Sequence, residues 1–230
     1  DAQESRGLGD VYKRQDPPFF GRDPPTWRPA AQASGKIAPM LIQILSLILN
    51  VAVGLLAGAC LLRLYMQWTG TPFYNPIGHL VLSLTNWVVL PLRRFIPALG
   101  RLDTASLVAA MLMKVLQHLL LSALLGGLMG AATPLAATLV MALFDLLALA
   151  LSLCTAILIA SVIASWLRTD PAINHVLQRL AAPLLDPIRR WLPTPGGLDL
   201  SPLVALVLIQ ILSIVLGYLQ DGVLRSLVVG

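Results

Sequence analysis

Apolar runs of two kinds alternate with polar segments along the chain. Four of them reach the roughly 20 mostly apolar residues that a helix needs to cross a bilayer. They predict spanning helices from about Leu41 to Met66, from Ser106 to Leu125, within Leu135 to Leu167, and from Leu203 to Leu219. The chain is 57% hydrophobic and 12% charged, whereas a soluble domain is about 25% charged. We therefore expect an all-α membrane protein with four transmembrane helices.

Two shorter segments, each lying between two predicted spans, repeat apolar residues at the spacing of an amphipathic helix. The two apolar faces consist of Ile77, Leu80, Val81, Leu84 and Val88, and of Ile173, Val176, Leu177, Leu180 and Leu184. Each segment begins at a proline junction that suits a helix start, Asn75–Pro76 in the first and Asp170–Pro171 in the second. Beside a membrane, such a helix is expected to lie in the interface.

The same motif follows both amphipathic segments. PLRRFIPALGRLD runs from Pro91 to Asp103, and PIRRWLPTPGGLD runs from Pro187 to Asp199, 96 residues further on. A repeat of this quality indicates duplication of a unit made of a span, a long loop and a span. Because each unit has two spans, both units cross the membrane in the same direction. The predicted fold is two parallel-duplicated helical hairpins, each with an interfacial amphipathic helix.

The repeated motif combines paired arginines with residues that turn or end a helix. Arg93, Arg94, Arg189 and Arg190 are predicted at headgroup level, where a basic residue gains about 1 kcal/mol from anionic lipid. The residues predicted to shape the loops are Asn75, Pro76, Pro91, Pro97, Gly100, Asp103, Pro187, Pro193, Gly196 and Asp199.

Within these loops, Pro91 and Pro187 are expected to break or kink the helix. Asp103 and Asp199 either cap the next span or pair with an arginine of their own loop. Two interpretations of the motif stay open, and they are compatible. It fixes the topology and anchors a hairpin, or it forms a basic surface that binds anionic lipid, a partner protein or an anionic solute.

Basic residues are concentrated in the two long loops, and the short connection at residues 126–134 has no charge. Positive charge in loops of up to about 60 residues marks the cytoplasmic side of a membrane. The two long basic loops are therefore predicted to be cytoplasmic, with the short connection and both termini on the outside.

Ionisable residues inside a membrane span are costly and point to function by default. Lys114 and His118 are four residues apart and share a helix face, and Asp145 lies in the third span. Counted from the short connection, Lys114 and Asp145 both lie roughly 17 Å deep at about 1.5 Å per residue. At this depth they can meet across a hairpin, either as a structural pair or snorkelling residues, or as part of a path for a solute or protons.

The first 39 residues have a different character, with charges of both signs and no apolar periodicity. Ser5–Gln15, SRGLGDVYKRQ, resembles a translated sequencing adapter, so residues 1–15 are interpreted as a scar. Residues 1–39 are predicted to be non-native or disordered, with Met40 as the natural start. The first repeat then covers residues 40–130 and the second covers residues 131–230.

No pattern of a catalytic or ligand site is found in the sequence. The three histidines form no HExxH, no serine lies in a GxSxG turn, and the two cysteines form no CxxC. No arginine-rich tract with interleaved aromatics points to nucleic acid. We expect no enzymatic activity, no cofactor, no metal and no nucleic-acid partner.

With Asn75–Pro76, PLRR…IP…GxLD and the second copy PIRR…LP…GxLD, the chain resembles the YggT family, also called YlmG-related. The resemblance covers Met40 to about Leu224. It implies a multi-span inner-membrane protein of a bacterium, without a family-wide catalytic activity. Relatives are linked to osmotic tolerance and cell-division gene neighbourhoods, and plastid relatives to assembly of thylakoid complexes. The second copy departs from the first at Asp170 and at Pro202, which leaves open whether both loops do the same job.

The leading hypothesis is a non-enzymatic inner-membrane scaffold or assembly factor whose basic interfacial loops bind a partner or anionic lipid. The expected partners are anionic headgroups of membrane lipid, other membrane proteins or further copies of this chain. The alternative is a small oligomeric channel or transporter linked to osmotic or ionic stress, using Lys114, His118 and Asp145.

Overall fold

A computed structural model of the chain describes residues 29–96, 102–129, 134–167, 170–191 and 199–229. The adapter-like segment and four predicted loop residues, Pro97, Gly100, Pro193 and Gly196, lie outside the described residues. The described residues divide into two units, with the boundary between Ile44 and Leu45. Every contact described below lies within the second unit.

The described residues are all-helical. The six helices are α1 (Pro29–Trp68), α2 (Pro76–Arg93), α3 (Thr104–Met129), α4 (Leu135–Trp166), α5 (Pro171–Arg189) and α6 (Ser201–Val229). Four segments are long and apolar enough to cross a membrane: Met40–Trp68, Thr104–Leu124, Leu135–Trp166 and Ser201–Ser226. The prediction of an all-α protein with four possible spans and two shorter helices is confirmed.

The core has two parts, the first with residues of α2 and the second with residues of both α2 and α5. Around Val89 of α2 pack Ala57, Cys60 and Leu61 of α1, Ala105, Ala109 and Ala110 of α3, and Leu146 of α4. Around Leu180 of α5 pack Met66 of α1, Val81 of α2, Ile157 and Leu158 of α4, and Ala205 of α6. The alanines of α3 let neighbouring backbones approach closely, as small residues do in membrane helices.

The two short helices differ in the face that they bury. Helix α5 buries Val176 and Leu180 of its predicted apolar face. Helix α2 instead buries Gly78, Val81, Thr85 and Val89, while Leu80 and Leu84 of its predicted face are exposed. The residues that α2 buries in the protein therefore overlap its predicted apolar face only at Val81. Its rotation brings Thr85 to a buried arginine of α1, described below.

Both short helices continue for two residues beyond the prolines that were expected to interrupt them. Pro91 lies inside α2, which ends at Arg93, and Pro187 lies inside α5, which ends at Arg189. Because proline removes one backbone donor, each helix ends less than one turn after its proline. The arginine pairs accordingly lie at the C-terminal ends of helices.

Candidate functional site

Side-chain caps fix where both short helices begin. The Asn75 side-chain oxygen accepts a hydrogen bond from the Gly78 amide at 2.8 Å, and the Asp170 carboxylate accepts one from the Ala172 amide at 2.8 Å. Pro76 and Pro171 occupy the first helical positions, where a missing amide costs little. The two proline junctions found in the sequence thus start the helices that carry the arginine pairs.

The first basic loop is closed by an ion pair between its ends. Arg93 Nη2 lies 2.5 Å from Asp103 Oδ2, and Arg93 Nε lies 3.3 Å from Asp103 Oδ1. Ser106 Oγ also donates to Asp103 Oδ2, at 2.7 Å. The Asp103 side chain is fully buried, whereas that of Arg93 is 40% exposed. The Arg93 guanidinium therefore binds Asp103 on one side and remains accessible on another.

A second arginine, which the sequence analysis missed, reaches the same carboxylate. Arg63 of α1 is 3% exposed, and its Nε lies 3.4 Å from Asp103 Oδ2. Its Nη1 donates to Thr85 Oγ1 and to Asn86 Oδ1, both at 2.8 Å. The available signal was a single cation near the end of an apolar span, because an ionisable residue in a span needs a partner.

The environment of Asp103 acts on its pKa in two directions. Burial alone would raise the pKa of this carboxyl. Hydrogen bonds from Arg93 and Ser106, together with the charges of Arg93 and Arg63, hold the pKa below its usual value. The carboxylate form is thus the one that the fold stabilises at neutral pH.

The second basic loop repeats the ion pair in a more exposed setting. Arg189 Nη2 lies 2.7 Å from Asp199 Oδ2, and Arg189 Nη1 lies 3.9 Å from Asp186 Oδ1. Asp199 Oδ1 also accepts a hydrogen bond from the Ser201 amide at 3.0 Å, at the start of α6. Hydrogen bonds from Ser201 and the neighbouring Arg189 lower the pKa of Asp199, although burial opposes them.

The second arginine of each pair has a different environment from the first. Arg94 and Arg190 are exposed, and neither forms an ion pair with any residue that the structure describes. Each is followed by an exposed aromatic residue, Phe95 at 84% and Trp191 at 87%. The two copies therefore share one arrangement: a first arginine paired within the protein and a second arginine beside an exposed aromatic ring.

The ionisable residues predicted inside the spans are brought together. Asp145 Oδ2 lies 2.9 Å from His118 Nε2 and 3.9 Å from Lys114 Nζ. Lys114 Nζ also donates to Gln117 Oε1 at 3.3 Å, and the Gln117 amide donates to Asn50 Oδ1. Sequence spacing gave no sign of Asn50 and Gln117. They extend the cluster into a chain of polar contacts that joins α1, α3 and α4.

Comparison with known proteins identifies the chain. The sequence model described as CCB3/YggT matches residues 42–124 and 140–220, one segment in each repeat. The chain belongs to the CCB3/YggT family. It is 34% identical to "Uncharacterized protein YggT" of Escherichia coli (strain K12) over 170 residues, which cover 74% of this chain and 87% of the relative.

Other relatives of the CCB3/YggT protein carry names that state no activity. "Uncharacterized protein in proC 3'region" of Vibrio alginolyticus is 31% identical over 158 residues, which are 68% of this chain and 84% of the relative. An "Uncharacterized protein" of Haemophilus influenzae is 27% identical over 169 residues, which are 73% and 88% of the two chains. No solved structure matches the chain significantly.

Proposed function

We propose that this YggT-family protein is a non-enzymatic scaffold or assembly factor of the bacterial inner membrane. Its two basic loops would bind anionic lipid headgroups or an acidic segment of a partner at the cytoplasmic face. The observation that carries the proposal is the exposure of Arg94 and Arg190, each beside an exposed aromatic residue, in both copies of the motif.

The arrangement favours binding because the arginine that precedes each exposed arginine is paired within the protein. Arg93 and Arg189 pair with aspartates ten residues further on, so each pair links the ends of the loop that carries Arg94 or Arg190. Phe95 and Trp191 are suited to the membrane interface, where aromatic rings settle at headgroup level. A basic residue in that layer gains about 1 kcal/mol from anionic lipid.

The proposed orientation follows from the same charges. Arginines near the ends of spans favour the cytoplasmic side, which supports cytoplasmic basic loops and outside termini. Reporter fusions after residue 96, after residue 191 and at the C-terminus would test it, with a cytoplasmic signal expected for the first two and an outside signal for the third. A cytoplasmic signal from one basic loop and an outside signal from the other would contradict the parallel duplication.

The binding proposal is tested by removing the two exposed arginines, Arg94 and Arg190, together. We expect R94Q/R190Q, purified from native membranes, to retain about fivefold less anionic lipid or crosslinked partner for each arginine lost. R225Q, which removes an exposed charge near the C-terminus, should behave like the unchanged protein. Mass spectrometry of bound lipids and of crosslinked proteins separates the two kinds of ligand. Unchanged amounts of both in R94Q/R190Q would refute the proposal.

The polar chain across three helices supports a second candidate, a small oligomeric channel or transporter linked to osmotic or ionic stress. Lys114 and Gln117 are buried within segments that can span a bilayer, and their contacts reach Asn50 and Asp145. Flux measured in liposomes decides between the candidates. Specific flux that is present with the unchanged protein and lost in K114L would favour transport. No flux with either protein would favour the scaffold.

A further inference from the structure

A partly open apolar crevice of about 220 Å³ lies between α1 and α4. Its walls include Leu61, Leu64 and Trp68 of α1 and Ala150 and Leu153 of α4. Tyr65 also lines it, but its hydroxyl already donates to the Leu180 carbonyl at 2.8 Å. The crevice therefore offers a ligand almost nothing but apolar contact.

The direction of the crevice follows α1 away from the membrane interface. It extends from Trp68, the last residue of a segment able to span a bilayer, to Leu61, seven residues earlier. Seven residues correspond to about 10 Å along a helix. Because both of its helices are able to span a bilayer, acyl chains are the apolar ligands expected beside such a crevice.

The end of the crevice at Trp68 and Leu102 is next to a cluster with an excess positive charge. Trp68 and Leu102 line the crevice, and their sequence neighbours Gln67 and Asp103 both contact Arg93. The cluster contains two guanidinium groups, of Arg63 and Arg93, for the single carboxylate of Asp103. The second loop differs, because there Arg189 meets both Asp186 and Asp199.

We propose that this crevice binds one acyl chain of an anionic membrane phospholipid, whose phosphate headgroup binds the exposed side of Arg93. The apolar walls accept the chain, and the unbalanced guanidinium charge selects a negative headgroup over a zwitterionic one. The site is separate from Arg94 and Arg190, so it goes beyond the headgroup contacts proposed for those two residues.

The first test counts lipids that stay bound to the delipidated protein in detergent after adding phosphatidylglycerol or phosphatidylcholine. Native mass spectrometry should find one phosphatidylglycerol held about fivefold more strongly than phosphatidylcholine, as one basic contact predicts. We expect A150F, which fills the crevice, to lose this lipid. R93Q should lose the preference between headgroups, and R225Q should keep it.

A second measurement does not depend on filling the crevice. Two proteins, each with Trp68 or Trp166 as the only tryptophan, are placed in phosphatidylcholine nanodiscs that contain a minority of phosphatidylglycerol with brominated chains. Quenching of Trp68 should exceed that of the exposed Trp166 by about fivefold. Brominated phosphatidylcholine should quench both tryptophans alike.

Several outcomes would overturn the site. They are equal quenching of both tryptophans by phosphatidylglycerol, equal retention of the two lipids, and occupation by detergent or free fatty acid only. The result is independent of the scaffold proposal. If R94Q/R190Q changes nothing while A150F loses its lipid, the crevice stands and the proposed role of the two exposed arginines fails.

Discussion

Arg93 and Asp103 close the first basic loop through two contacts, the shorter one 2.5 Å between Nη2 and Oδ2. The second copy of the motif forms the same link between Arg189 and Asp199, also ten residues apart, at 2.7 Å. The environments differ, because Asp103 is fully buried and shared with Arg63, whereas Asp199 is partly exposed. Duplication has therefore preserved the contact but not its burial, and this difference is testable.

Removal of each aspartate charge should have very different effects on stability. D103N leaves the buried Arg63 without its carboxylate, and loss of one partner of a buried pair costs about 3–5 kcal/mol. D199N breaks a pair that water reaches, which is worth about 0–1 kcal/mol. The measurement is the free energy of unfolding in one detergent for both variants. Equal losses would show that burial does not set the strength of these pairs.

Acid should destabilise the protein through the same carboxylates. The pKa values of Asp103 and Asp199 are lowered in the fold, so each group binds protons less readily folded than unfolded. Its contribution is complete above the unfolded pKa of about 3.9 and is lost as the pH falls through the lower folded value. Unfolding temperatures measured from about pH 6 down to about pH 3 should fall less steeply for D103N than for the unchanged protein. Parallel curves would contradict this assignment.

Much of the fold could be predicted from the sequence because its signals are local. The four spans follow from the length of apolar runs, and the buried face of α5 follows from the spacing of Val176 and Leu180. The residues that α2 buries did not follow from its apolar spacing, because the hydrogen bonds from Arg63 to Thr85 and Asn86 draw polar side chains inward. A contact between helices overrode the apolar periodicity within one helix.

Of the candidate site, the sequence indicated contacts within one loop but not those between distant helices. The pairing of Arg93 with Asp103 was one of two alternatives suggested by the motif itself, since both residues lie in one loop. The link between Asn50 and Gln117 joins residues 67 positions apart on different helices. No spacing rule relates such residues, so only the packed structure brings them together.

A single methyl group should be enough to disturb the start of α2. A Cβ at position 78 would lie 2.4 Å from the Phe73 carbonyl oxygen, whereas one at position 54 would meet nothing within 4 Å. G78A should therefore lose about 1–3 kcal/mol, the usual cost of overpacking. G54A is the matched control and should lose nothing, because alanine is the better helix former. A stable G78A protein would mean that the loop before α2 adjusts without cost.

Charge reversal tests whether Lys114 and Asp145 form a pair that the fold needs. K114D places two carboxylates together and D145K places two ammonium groups together, so each single change should cost about 3–5 kcal/mol in the unfolding free energy. The double variant K114D/D145K restores opposite charges and should recover part of that loss, because the effects of contacting residues are not additive. His118, 2.9 Å from the Asp145 carboxylate, limits the recovery, since it would then face a lysine. A double variant no more stable than either single one would mean that Asp145 pairs with His118 alone and that Gln117 is the main partner of Lys114.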